Sequence, residues 1–218
     1  MDEDLLQKAL QLHQSGDLEK AEAAYLDIVL DDPNNADVLK LLGVLSCQLS
    51  KFEEGVNYLE AAVELKGNVA EYHQALGHAY LVSGKVEDGI ASLNKAGDLD
   101  PTRADVYGAL GDTFQNIGDF PQALRAYQRA VVIEPDNVNY KVCAGLCAVF
   151  TEQYDAAEEY LEQALADADT LPQIYYGLAL VKSARDDKVA AAELMSKAQA
   201  LDPQNPEYKR LREEFAAA

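Results

Sequence analysis

The chain has 218 residues, of which 38 are acidic and 18 are basic, so its formal net charge is −20 at pH 7. This excess of negative charge argues against nucleic-acid binding, which needs a basic surface, and against direct adsorption to an anionic bilayer. It favours a protein partner that is basic or apolar.

The sequence shows no evident targeting signal and no cysteine pattern typical of disulfides or a metal site. It contains no recognisable secretory signal, transit peptide or run of 18 apolar residues. The three cysteines, Cys47, Cys143 and Cys147, lack the spacing of a disulfide framework, which favours a reducing compartment. Cys143 and Cys147 alone are too few ligands for a structural zinc site. We therefore expect a cytoplasmic protein without a metal or another cofactor.

The first predicted element is a pair of amphipathic helices over residues 2–35. Gly16 interrupts the apolar pattern, and Pro33 ends the second helix. Between them, Ala21 and Tyr25 belong to an apolar stripe with helical spacing. One such pair cannot bury both of its apolar stripes, so it needs neighbours.

The same pattern recurs every 34 residues along the chain. A small residue of the second helix returns without insertion at Ala21, Gly55, Gly89, Ala123, Ala157 and Ala191. The six units cover residues 2–35, 36–69, 70–103, 104–137, 138–171 and 172–205. The period predicts six helix-turn-helix repeats, followed by a helix over residues 206–215 that covers the end of the stack.

The fourth unit, residues 104–137, has the most complete pattern. Its first helix carries Tyr107, Leu110, Gly111 and Phe114, and its second helix carries Pro121, Ala123, Tyr127, Ala130 and Pro135. This order of large, small and aromatic residues resembles the tetratricopeptide repeat (TPR) family. The resemblance implies an all-α fold, a right-handed α-solenoid formed by one domain over residues 1–218. It also implies that the protein is not an enzyme.

Two units depart from the pattern of this family. In the second unit, Ser46 replaces the usual aromatic residue and Ser50 replaces the glycine of the turn. In the fifth unit, Lys141 stands where a large apolar residue is usual, and the turn near Glu152 has no glycine. We expect a local change in packing or curvature at the fifth unit.

The resemblance implies that the first helices line a concave groove that binds a partner. Five acidic residues are expected to face it: Glu3, Asp37, Glu71, Asp105 and Asp112. Lys40 and His78 are expected on the same side. The fifth and sixth units are expected to contribute an apolar surface of Val142, Leu146, Val149, Phe150, Tyr176 and Leu180. Two other interpretations remain open: first-turn acids also stabilise the helix dipole, and apolar residues also pack between units.

Opposite charges at the two ends of the chain suggest self-association. Asp2, Glu3 and Asp4 open the first helix, whereas Lys209, Arg210 and Arg212 lie in the last. Head-to-tail contact between molecules would pair these charges and form a homo-oligomer. A polar cap on the final helix is the alternative interpretation.

The predicted function is that of a bacterial protein-interaction scaffold that binds a basic or apolar segment. Among stand-alone TPR arrays, the magnetosome-associated scaffolds are one candidate class, which would imply self-assembly and docking on an organelle membrane through a partner. Two alternatives remain: the substrate-recognition portion of a bacterial protein glycosyltransferase, and a monomeric adaptor in secretion or envelope assembly.

Overall fold

The computed structural model describes residues 3–217, which form thirteen α-helices and no strand. The helices are α1 (Glu3–Gln14), α2 (Leu18–Asp31), α3 (Ala36–Gln48), α4 (Phe52–Leu65), α5 (Ala70–Val82), α6 (Val86–Leu99), α7 (Ala104–Asn116), α8 (Phe120–Ile133), α9 (Val138–Phe150), α10 (Tyr154–Asp167), α11 (Pro172–Ala184), α12 (Lys188–Leu201) and α13 (Pro206–Ala217). Consecutive helices pair as the period predicts, so each repeat contributes one first helix and one second helix.

By internal contacts, the chain divides into two compact units, Met1–Thr102 and Arg103–Ala218. The boundary falls next to the junction between the third and fourth repeats. Unit 1 therefore contains α1 to α6, and unit 2 contains α7 to α13. The assignment of the whole chain to one domain stays a prediction.

Each turn within a repeat contains one residue in the left-handed backbone region. These residues are spaced by 34 and are Gly16, Ser50, Gly84, Gly118, Glu152 and Asp186, with φ between 60° and 82°. Glycine adopts this conformation freely, whereas residues with a Cβ atom are strained. The turn geometry is therefore kept even in the repeats whose turns lack glycine.

Small residues allow the two helices of a repeat to approach each other closely. In unit 1, a Cβ atom on Gly55 would lie 2.8 Å from the carbonyl oxygen of Gly43. In unit 2, a Cβ atom on Gly111 would lie 2.6 Å from the ring of Tyr127, which is itself buried. The recurrent small positions of the sequence are thus the places where α3 meets α4 and α7 meets α8.

One close approach joins two different repeats of unit 2. A Cβ atom on Gly108, in α7, would lie 2.7 Å from Cε1 of Tyr140, in α9. The tyrosine ring occupies the space that a side chain at position 108 would need.

The terminal helix α13 covers the last repeat, as predicted. Tyr208, Leu211 and Phe215 are buried and pack in one cluster with Met195 and Ala198 of α12. The exposed side of α13 carries charged residues, so the helix closes the apolar core of unit 2 at this end.

Ser46 and Lys141, which depart from the repeat pattern, each donate a hydrogen bond within the protein. Ser46 is fully buried, and its hydroxyl donates a hydrogen bond of 2.9 Å to the carbonyl oxygen of Leu42. Lys141 is only 8% exposed, and its Nζ donates to Asp167 at 2.5 Å. A polar residue is therefore accommodated at each apolar position by a hydrogen bond.

Candidate protein-binding surfaces

The acidic residues of unit 1 lie on exposed parts of first helices, but they have basic or hydroxyl partners. Asp37 accepts hydrogen bonds from the hydroxyl of Tyr72 at 2.5 Å and from Nζ of Lys66 at 2.9 Å. These two bonds hold the pKa of Asp37 below its usual value, and the bond from Tyr72 has the larger effect. Glu71 pairs with Lys40 at 2.7 Å. A cationic partner would have to compete with these internal contacts.

Lys40 and His78 complete the predicted groove residues of unit 1. The side chain of Lys40 is only 17% exposed, because it lies along the surface towards Glu71. His78 is exposed on α5. Lys40 therefore links α3 to α5, whereas the imidazole of His78 is accessible to solvent.

The acidic residues of unit 2 are also paired. Asp105 accepts two hydrogen bonds from Arg103, at 2.7 and 3.1 Å. Asp112 accepts a hydrogen bond of 2.5 Å from the hydroxyl of Tyr127. Burial, followed by this hydrogen bond, raises the pKa of Tyr127. The tyrosine hydroxyl thus ties the exposed carboxylate of Asp112 to the core of the repeat.

The predicted apolar surface of unit 2 is partly internal. Val142 and Val149 are 6% and 9% exposed and belong to the packed core, so they do not offer an accessible surface. Leu146 and Leu180 are partly buried against the same clusters. The alternative interpretation of the sequence, packing between repeats, describes these four residues.

Two aromatic residues of this set remain accessible. Phe150, at the end of α9, is 50% exposed, and its ring stacks on that of Phe120 with centroids 4.6 Å apart. Tyr176 is partly buried, and its ring lies 5.5 Å from that of Tyr208. Phe150 is therefore the most exposed apolar side chain among the predicted groove residues.

The residues predicted for self-association lie near the two ends of the chain. Asp2 and the side chain of Glu3 lie outside the described residues, whereas Asp4 is exposed. On α13, Arg210 pairs with Glu214 at 3.2 Å and with Glu207 at 3.7 Å. Arg212 lies 3.9 Å from Glu213, and Lys209 is exposed. The three basic residues of α13 are matched by three glutamates, so the helix has no net charge.

Sequence reasoning did not anticipate the role of the tyrosine hydroxyls. Besides those of Tyr72 and Tyr127, the hydroxyl of Tyr80 donates to Glu60 at 2.5 Å. The 34-residue period could have indicated the pair of Tyr72 and Asp37. Tyr72 stands at the third place of its repeat, and Asp37 stands at the second place of the preceding repeat. Such spacing brings the two side chains together when consecutive repeats stack.

Within residues 3–217, no three histidine, cysteine or acidic side chains are grouped so that they could bind a metal ion. No helix in this part of the chain has the length and apolar character needed to cross a membrane. The surfaces described above consist of helix faces, which suit contact with another polypeptide.

Comparison with known proteins agrees with the repeat geometry. Paired helices repeated every 34 residues define the α-solenoid class of helix-turn-helix repeat proteins. Two tetratricopeptide repeat models match the chain, one over residues 106–138 and the other over residues 151–214. Residues 106–138 and 151–214 therefore carry tetratricopeptide repeats.

Solved structures of TPR proteins resemble this chain closely. YrrB, described as a TPR protein with an unusual peptide-binding site, is 17% identical, with a TM-score of 0.78 over 89% of this chain and 98% of that one. PilF of Pseudomonas aeruginosa is 17% identical, with a TM-score of 0.77 over 97% and 96%. MamA is 26% identical, with a TM-score of 0.68 over 77% and 95%. No curated protein matched the chain.

Proposed function

We propose that the protein is a non-catalytic scaffold that binds a segment of a partner protein on the first-helix side of its repeats. The observation that carries this proposal is the exposed ring of Phe150, held in place by stacking on Phe120. Tyr176, on the neighbouring first helix α11, extends the apolar character of this surface. An ordered, half-exposed aromatic residue binds a partner at low cost in side-chain entropy.

The proposed partner segment is apolar with basic flanks. Apolar side chains would contact Phe150 and Tyr176, and basic side chains would exchange with the internal partners of the unit 2 carboxylates Asp105 and Asp112. The net charge of −20 favours the approach of a basic segment over long distances.

The experiment compares Phe150→Asp with the wild type in binding to a partner identified by affinity capture and mass spectrometry. We expect at least tenfold weaker binding, because the substitution replaces a stacked ring by a charge. Val132→Asp is the matched control, since Val132 is 80% exposed on a second helix and should not contribute. Equal affinity of the wild type and Phe150→Asp would contradict the proposal.

A self-assembling scaffold of the magnetosome-associated type is the second candidate. The likeness to MamA favours it, with 26% identity over 77% of this chain. It would place the protein in the cytoplasm, attached to an organelle membrane through a partner. Light scattering of the triple variant Lys209→Glu, Arg210→Glu and Arg212→Glu tests head-to-tail assembly. We expect a salt-sensitive oligomer in the wild type and a monomer in the variant, and equal masses would exclude this arrangement.

The other two alternatives concern the context of the repeats. A native gene that encodes a transferase domain beside them would favour the substrate-recognition portion of a glycosyltransferase. A monomer that binds envelope or secretion components would favour the adaptor.

A further inference from the structure

The outward side of α2 carries an exposed apolar seam, consisting of Ala23, Leu26 and Leu30. All three residues are exposed, with Leu26 at 37% and Leu30 at 79% of their full accessibility. Their spacing of three and four residues places them on one helical face, so the side chains adjoin each other. The core residues of α2, such as Tyr25 and Ile28, occupy the opposite face.

The other repeats show that the fold does not require this seam. The place of Leu26 is polar in all five of them, where it is Glu60, Asn94, Gln128, Glu162 and Ser196. The place of Leu30 is Glu64 in α4, the second helix of the next repeat. Because the same helix geometry tolerates polar residues at these places, the leucines of α2 are not needed for packing within the repeat.

The seam is flanked by acidic residues. Glu19, Asp27 and Asp31 are exposed on the same side of α2. The one lysine of this helix, Lys20, pairs with Asp17 at 2.6 Å. The surface therefore combines an apolar centre with negative edges.

We propose that this face of α2 docks a basic amphipathic helix of a partner protein. Residues at i, i+3 and i+7 form the apolar seam that pairs helices in coiled coils, and the flanking charges select the partner. A partner helix with leucine or isoleucine at matching places and lysine or arginine beside them complements Leu26, Leu30 and the three acids. The acidic edges disfavour an anionic membrane as the occupant. The surface lies on a second helix, so it is additional to the first-helix surface of the proposed function.

The probe is a synthetic peptide of three heptads with leucine at the a and d positions and lysine at the e and g positions. Its binding to the full chain is measured by NMR titration of the 15N-labelled protein. We expect the shifts to concentrate on the backbone amides of α2. In the double variant Leu26→Glu and Leu30→Glu, which copies Glu60 and Glu64 of α4, the affinity should fall at least tenfold.

The direction in which the double variant changes the affinity for the peptide separates docking on the apolar seam from general electrostatic attraction. The double variant is more negative than the wild type, so a lysine-rich peptide held by charge alone would bind it equally or more tightly, which would overturn the proposal. Val132→Glu adds a charge at the place of Leu30 in α8 and should leave the affinity within twofold. Phe150→Asp should leave the affinity read from the α2 amides unchanged, which separates this site from the first-helix surface.

Two further results complete the test. The single variant Leu30→Glu changes a residue that is mostly exposed, so it keeps the fold and should weaken binding even if the double variant does not fold. Sedimentation of the wild type tests whether the seam is occupied by a second copy of the chain. A concentration-dependent dimer that Leu30→Glu dissociates would overturn the assignment to a basic partner helix.

Discussion

Ser50, Glu152 and Asp186 each place a Cβ atom in a backbone region that suits glycine. Their φ angles are 62°, 60° and 64°, and Gly118 occupies the same place in the fourth repeat. The left-handed conformation costs a residue with a Cβ atom about 1–2 kcal/mol. Glycine avoids this cost, but it loses more conformational entropy on folding, which offsets part of the gain.

We expect Glu152→Gly to raise the free energy of unfolding by about 0.5–1 kcal/mol. Gly118→Ser should lower it by a similar amount, although a Cβ atom there meets nothing within 4 Å, because the penalty lies in the backbone. Urea unfolding monitored by circular dichroism measures both changes. Destabilisation by Glu152→Gly would contradict this account of the turns.

The ion pair of buried Lys141 with the more exposed Asp167 leads to a second prediction at this scale. An apolar residue of similar length should replace a buried lysine at little cost, whereas removing its partner leaves the charge uncompensated. We expect Lys141→Met to be neutral or stabilising by up to about 1 kcal/mol, and Asp167→Ala to cost about 1–2 kcal/mol, since Asp167 is 44% exposed. Denaturant midpoints of the two variants test this order, and the reverse order would refute it.

Single residues also show where sequence reasoning reaches its limit. Pro121 lies in the first turn of α8, and the side chain of Asn137 caps the start of α9, as these residue types favour. The residue pattern could not decide whether Val142 and Val149 face a groove or a neighbouring repeat, because both sides of a first helix show the same spacing. Their burial depends on how closely the next repeat packs.

Between α10 and α11, one carboxylate accepts hydrogen bonds from two basic side chains. Glu158 of α10 accepts hydrogen bonds from Nζ of Lys182, at 2.5 Å, and from the guanidinium of Arg185. These two bonds hold the pKa of Glu158 below its usual value. The glutamate therefore binds protons less readily in the folded state than in the unfolded state.

This lowered pKa predicts a dependence of stability on pH. Because the folded-state pKa is depressed, the contribution of Glu158 is complete above the unfolded value of about 4.3 and disappears as the pH falls through the folded value. We expect Glu158→Gln to cost about 1–2 kcal/mol at pH 7 and the two proteins to converge in acid. Parallel chemical denaturation at pH 7 and at acidic pH checks this, and a gap that persists in acid would contradict it.

The sequence predicted helices well because their signals are local, such as small residues, turns and prolines. It did not predict which charged side chains meet, since Asp37 and Lys66, like Glu158 and Arg185, lie nearly one repeat apart in sequence. Those contacts depend on long side chains whose rotamers the 34-residue period does not specify. The sequence therefore indicated that the carboxylates of the predicted groove lie on first helices, but it did not indicate their hydrogen-bond partners.

For the molecule as a whole, the net charge of −20 is the dominant electrostatic quantity. Self-repulsion of this size opposes the compact state, and salt screens it over a Debye length of about 10 Å at 0.1 M. We expect the melting temperature to rise by several degrees between about 0.01 M and about 0.2 M NaCl. Calorimetry measures this shift, and sodium sulfate at equal ionic strength controls for the identity of the anion. A falling melting temperature would mean that ion pairs such as that of Lys51 with Glu22 outweigh repulsion.

The contact of Gly108 with Tyr140 has a consequence for the ancestry of the repeats. Duplication of a 34-residue segment would copy the fourth repeat over the fifth and put a valine, the counterpart of Val106, at position 140. That exchange would leave a hole beside Gly108, because valine is too small to occupy the space of the tyrosine ring. Gene rearrangements that separate these two positions should therefore be rare among descendants, and the two residues should be inherited together.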